Sequence, residues 1–191
     1  MWNEPSAGVA VAALDSDRAS RQPAPAVVAS VVPGSIGEEL GFEPGDQLLS
    51  INGVRPRDLI DYRYLIVEEE LHLEIRDAAG VLHQVDLEKD EDDGLGLAFT
   101  EALFDGLRQC SNACAFCFID QQPPGHRSSL YLKDDDYRLS FLYGSYLTLT
   151  NLSDSDWQRI EQQRLSPLFV SVHATDPDLR SSLLQNPRAG Q

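Results

Sequence analysis

The sequence predicts an α+β domain followed by an α/β segment, and three observations carry that expectation. Between Ala26 and Lys89 short apolar runs alternate with turn signals in the order strand, short helix, strand, helix, hairpin. Beyond an acidic run, Lys89 to Asp93, strand-like and helix-like stretches alternate, which implies a parallel sheet built from βαβ units. Between the two patterns lies "CSNACAFC", residues 110 to 117, which holds all three cysteines of the 191-residue chain.

Residues 1–25 are rich in Ala, Ser, Pro and Asp and read as a loose arm, with "GVAVAAL" as a short strand at most. From Ala26 the pattern tightens. "AVVASVV" is a β-branched run that stops at the turn signal Pro33 to Ser35. "IGEELG" supplies one or two helical turns closed by Gly41, and "PGD" turns the chain again. "QLLSING" alternates as a strand into an Asn52-Gly53 turn. "RDLIDYRYLIVEE" has apolar residues at helical spacing, and "LHLEIRD" and "HQVDLEK" form a hairpin around "AAG". The first domain is thus expected over 26–89, with a linker at 90–94.

The stretch "VVPGSIGEELGFEPGDQLLSINGVRPRDL", Val31 to Leu59, resembles a bacterial-type PDZ domain. That resemblance implies a sheet edge able to take an extended peptide C-terminus, and hence a peptide or protein partner. "GLGL", Gly94 to Leu97, has the character of the loop that receives the peptide carboxylate. Its place after the last hairpin reads instead as a glycine hinge.

In the second part, 95–191, "GLGLAFTEALF" reads as a strand leading into the cysteine loop. "DDDYRLSFLYG" is a helix, "YLTLTN" a strand, "SDSDWQRIEQQRL" a helix, "PLFVSVHA" a strand and "DPDLRSSLLQ" a helix. Ser153 and Asp176 are natural N-caps, with Asp156 three residues after the first.

Cys110, Cys114 and Cys117 form a C-x3-C-x2-C run. A disulfide would leave one thiol over and needs an oxidising compartment. Zinc would need a fourth ligand, for which His126 is the nearest candidate. A cubane [4Fe-4S] cluster explains the count, since three thiolates leave one iron open to a substrate or cofactor. Phe116, just before the last cysteine, would shield such a cluster.

"CSNACAFC" resembles the radical S-adenosylmethionine signature. The resemblance implies that S-adenosylmethionine occupies the open iron and that its reductive cleavage yields a 5′-deoxyadenosyl radical, which abstracts hydrogen from a substrate. The stretches "CFIDQQPPGHRSSLYLKDDDYRLSFLYGSYLTLTNL" and "RLSPLFVSVHATDPDLR" are similar to a bacterial family with three parts. These are a PDZ domain, a radical-SAM-type domain and a C-terminal domain of unknown function, in what are named iron–sulfur oxidoreductases of unassigned reaction. The implied fold for 95–191 is the N-terminal half of a radical-SAM partial (β/α) barrel. Against that family the chain is expected to be C-terminally truncated, with a separate C-terminal half as one source of the missing strands.

The resemblance also implies cofactor contacts at the ends of the second and third strands, at Thr150 and Asn151 in "TLTN" and at Ser171 and His173 in "VSVHAT". For Thr150 and Asn151, strand-end and helix-cap duty is the competing reading; for His173 it is an ordinary structural histidine. Asp134 to Asp136 could bind a hard cation but suit a helix start better. Arg127, Lys133 and Arg138 could neutralise the cluster or pair with those aspartates.

A net charge of −16 argues against nucleic-acid partners and anionic membrane surfaces. No stretch approaches the roughly 18 to 20 apolar residues of a membrane span. The N-terminus lacks the pattern of a signal peptide, and clustered cysteines suit a reducing compartment, so a cytoplasmic location is expected. Two other roles stay open: an inactive truncated chain acting as a PDZ-like binding module, and a zinc-stabilised interaction domain.

Overall fold

The computed structural model describes residues 24–191. The arm expected over 1–25, including its "GVAVAAL" strand, falls almost wholly outside the described residues. The chain divides into two compact units, 1–106 and 107–191.

In the first unit, β1 (Ala26–Val31), α1 (Ile36–Glu39), β2 (Gln47–Ile51), α2 (Leu59–Leu65), β3 (Glu70–Arg76) and β4 (Leu82–Glu88) follow the predicted order. A further strand, β5 (Leu97–Phe99), completes a five-stranded sheet in the order β4-β3-β2-β1-β5. Every pairing is antiparallel. Along β3 the side chains alternate, so Leu71, Leu73 and Ile75 join Val28, Leu48, Ile51, Phe42 and Tyr62 in one apolar core. Ser35 caps α1 by accepting from Glu38 N, and Asp58 caps α2 by accepting from Asp61 N. Asp46 ties two turns together, accepting from Glu43 N at 2.9 Å and Ala78 N at 3.1 Å.

The glycine pair expected to be a hinge is built into this unit. Leu95 O accepts from Gly37 N at 2.8 Å and Gly96 O from Val32 N at 2.9 Å. These bonds hold the stretch against α1 and deliver β5 to the edge of β1. The approach works only because two glycines face it. A Cβ on Gly37 would lie 2.6 Å from Leu95 O, and one on Gly96 would collide with Ser35. The two compact units part between Gly106 and Leu107. After β5 the chain crosses back to α2: Leu59 N donates to Ala102 O and Phe104 N to Arg57 O. Phe99 fills the space between, its ring 4.7 Å from Tyr62 and 5.2 Å from Phe104.

The second unit carries the cysteine loop, a 3-10 turn (Ser128–Tyr131), α3 (Tyr137–Tyr143), β6 (Tyr146–Leu147), α4 (Asp154–Gln162), β7 (Phe169–Val170), α5 (Pro177–Leu184) and a last 3-10 turn (Pro187–Gly190). β6 and β7 pair in parallel, Tyr146 with Phe169 and Leu147 with Val170. The expected caps form: Ser153 and Asp156 make a reciprocal capping box on α4, and Asp176 caps α5.

The half-barrel expected over 95–191 is corrected by this arrangement. The stretch read as its first strand pairs with β1 in the antiparallel sheet, and among the described residues the parallel sheet has two short strands. A left-handed residue ends each extended run early, Leu149 (φ 61°) after β6 and His173 (φ 65°) after β7. No helix among the described residues is long and apolar enough to cross a membrane.

Gly96→Ala combines a positive φ with a steric collision, so it should destabilise the first unit by about 2 kcal/mol or more. A urea melt followed by circular dichroism measures this, and an unchanged midpoint would refute the close packing of β5 on α1.

Candidate functional site

The cysteine loop leaves the second unit's body at Cys110, where residues 108–110 run beside 133–135. Cys110 N donates to Lys133 O at 2.8 Å, Asp135 N to Arg108 O at 3.2 Å, and Gln109 bridges to Asp134. The next anchor is a side chain. Asn112 is buried, donates to Thr148 Oγ1 at 2.9 Å, and accepts from Thr150 Oγ1 at 3.0 Å and Asn186 Nδ2 at 2.7 Å. Ala113 N then donates to Leu184 O at 3.0 Å. Beyond this point the loop is held mainly by its own turns. Cys117 N donates to Cys114 O at 3.1 Å and Gln121 N to Cys117 O at 3.2 Å.

The three thiols are free and half-buried. Burial pushes the Cys110 thiol up, against local hydrogen bonds from Asn112, and the nearby Asp135 carboxylate adds to the rise. Burial also raises Cys114. Both are therefore protonated near neutral pH, and binding a metal would release their protons. Among the described residues no group of three His, Cys, Asp or Glu side chains is gathered closely enough to hold a metal ion, so the sulfurs stand on one loop without converging. His126 is exposed at a turn, its N–H donating to the Tyr131 hydroxyl at 2.9 Å, and it completes no such group.

Asp135 is the charged centre beneath the loop, 1% exposed. Its carboxylate accepts from Thr148 N at 2.6 Å and Thr148 Oγ1 at 2.7 Å. Thr148 Oγ1 in turn accepts from Asn112, so Asp135, Thr148, Asn112, Thr150 and Asn186 form one relay, with the Thr148 and Thr150 hydroxyls in contact at 2.9 Å. Its neighbours are used structurally. Asp136 caps α3 and receives Arg138 Nε at 2.9 Å and Arg138 Nη2 at 2.7 Å. Burial raises its pKa, but the Arg138 bonds and charge outweigh this and hold it low. Arg108 grips Asp156 through two bonds of 2.5 and 2.7 Å. These pairings account for two of the aspartates that could have served a cation, and for Arg138. Lys133 pairs with Asp120 at 2.5 Å.

The residues expected to touch a cofactor are placed as follows. Phe116 and His173 come together, with ring centroids 5.5 Å apart, and both are exposed. Ser171 N donates to Leu147 O at 2.9 Å, continuing the ladder one residue past β7. The two-residue alternation that put Ser171 and His173 on one face stops there, because His173 is left-handed. Thr150 is buried, its hydroxyl committed to the relay. Asn151 donates to Asp135 O at 2.9 Å and Gln109 O at 3.3 Å, while its Oδ1 is buried without a hydrogen-bond partner. Residue-by-residue reading missed Asn112, Asn186 and Arg180, and read Asp135 only as a cation candidate or helix-start acid. Arg180 Nη2 donates to Thr148 O at 2.6 Å and Nε to Val172 O at 2.9 Å, with Nη1 on Ala189 O, so one guanidinium joins the ends of both parallel strands. An Asn between two cysteines was the one available signal.

Two family models match the chain: a PDZ domain over residues 27–77 and a radical SAM-like domain over residues 89–191. No curated protein matches it.

The Arg108 and Ser153 hydrogen bonds overcome burial and pull the Asp156 carboxyl down to about 2. This stabilisation, about 1–2 kcal/mol when complete, is fully present above the ordinary carboxylate range and is lost as pH falls from about 4 through about 2. Trp157, next to it on α4, reports the transition by fluorescence. Asp156→Asn should remove that acid-dependent component; an unchanged acid profile would contradict the pairing.

Proposed function

The chain belongs to the radical SAM-like domain family, and on that premise we propose that its second unit holds a [4Fe-4S] cluster and S-adenosylmethionine for radical hydrogen abstraction or a related oxidoreduction. Cys110, Cys114 and Cys117 would be the ligands. The chemistry of the donor set fits: three free thiols, none in a disulfide, share one loop whose stem is pinned at Asn112. That loop is the observation carrying the reading. Asn151 Oδ1, a buried acceptor without a hydrogen-bond partner, fits too, since an unsatisfied oxygen there suits the amino group of the cofactor.

When bound, the cluster and S-adenosylmethionine supply a one-electron cleavage that starts radical chemistry. The chain's own residues do the rest. Asn112 fixes the stem, and the turn from Cys114 to Cys117 leaves the second and third thiols free to adjust when a metal binds. Phe116 and His173 cover one side of the loop as a contacting ring pair. Thr150, with its hydroxyl spent on Asn112, acts by holding the loop, and Ser171 by extending the parallel ladder to where His173 turns.

A second role for the first unit rests on one observation. β5 is an edge strand with Tyr62 of α2 packed against its Phe99, an arrangement that supports an extended peptide added alongside β5.

Anaerobic reconstitution with iron and sulfide tests the main reading. The wild-type protein should turn brown with a broad visible absorbance, and Cys114→Ala should lose it. Reduction in the presence of S-adenosylmethionine should release 5′-deoxyadenosine. A colourless protein that takes up zinc instead would overturn the proposal.

A further inference from the structure

Both ends of the cysteine loop meet at one residue. Lys133 O accepts from Cys110 N at 2.8 Å, at the loop's start, and Lys133 Nζ donates to Asp120 Oδ2 at 2.5 Å, three residues past Cys117. All three thiols lie between these two attachments. On this half Gln122 reaches back to Phe118 O at 3.1 Å, the Tyr131 hydroxyl holds Pro123 O beyond the loop, and Phe116 touches His173; Lys133–Asp120 is the tie that joins the loop's far end to the residue holding its start. The outer half also exposes Phe118, at 71%. An ordinary surface loop gains little by presenting an aromatic ring to water. Without the Lys133–Asp120 tie, Cys117 would be located by its turn to Cys114 and by the Phe116–His173 ring contact beside it, with nothing joining the loop's far end to its start.

We propose that Lys133 is a clasp, closing the segment from Cys110 to Asp120 so that the three thiols are kept within reach of one cluster. The inference rests on the cluster reading above and deepens it: Lys133 and Asp120 are positioning residues, acting through the loop and touching neither iron nor substrate. A simpler role for Lys133 is as a cation that offsets cluster charge, and the two roles differ in sign for Asp120. If charge alone mattered, Lys133→Met and Asp120→Asn would act in opposite directions, one removing a positive and the other a negative group near the thiols. A clasp is broken equally from either side.

The pair is partly exposed, with side chains 24% and 52% accessible, so neither substitution should unfold the protein. The experiment uses the full chain as wild type, Lys133→Met, Asp120→Asn, the double variant and Lys133→Arg. In the metal-free proteins, hydrogen exchange at the Cys117 and Gln121 amides should quicken about two- to fivefold in both single variants. After anaerobic reconstitution, both should lose iron to a chelator faster by a similar factor, with a broadened electron paramagnetic resonance signal in the reduced state. The double variant should be no worse than either single one, and Lys133→Arg should behave as wild type. Unchanged exchange in the single variants, or opposite effects on iron retention, would overturn the clasp. Failure of the wild type to take up iron and sulfide would instead overturn the proposed cluster, a result visible before any variant is compared.

Discussion

The hydrogen-bonded relay from Asp135 through Thr148 to Asn112, and from Asn112 to Thr150 and Asn186, is the constraint on which the second unit is organised. Four of its five members are buried, and a buried polar group without a partner is costly. Each partner is therefore obliged to stay where the others need it. Because Thr148 sits immediately after β6 and Asn112 immediately before the second cysteine's turn, the relay transmits the position of a strand end to the stem of the loop. Such networks strengthen when complete and fail together when broken.

The two units solve the problem of burial differently. The first is an ordinary apolar core under an antiparallel sheet, with Leu48, Ile51 and Leu73 fully enclosed. The second relies on ion pairs, buried Arg138 with Asp136 and half-buried Arg108 with buried Asp156, while the guanidinium groups of Arg108 and Arg159 lie 5.5 and 5.9 Å from the centre of the Tyr137 ring. Buried ion pairs add little net stability, since desolvation offsets most of the attraction, but their geometry is exacting. A unit with strands of two residues needs that kind of fixing, because two ladder pairs alone define a sheet weakly.

Much of this was legible in the residues themselves. The strand–helix order of the first unit followed from turn chemistry at Pro33–Ser35, Gly41 and Asn52-Gly53, where local geometry leaves few options. The caps at Ser153 and Asp176 were equally local. The cysteine spacing marked the loop that falls within the radical SAM-like match. The misreading came at "GLGL". Nothing local distinguishes a glycine hinge from a glycine-faced contact, and the deciding partner, Gly37 on α1, is remote in the chain.

Sequence by itself determined which segments form strands and helices in the first unit, where helices begin, and which three side chains offer sulfur. These are properties of short stretches, set by backbone preference and side-chain chemistry within a few positions. Tertiary structure decided the rest. It assigned β5 to the antiparallel sheet, turned Thr150 inward to serve Asn112, brought Phe116 against His173, and gave Lys133 both ends of the cysteine loop. The physical reason is common to all four. Each depends on a hydrogen bond or ring contact between distant residues, and its formation is decided by which polar groups become buried together, a property no single stretch possesses.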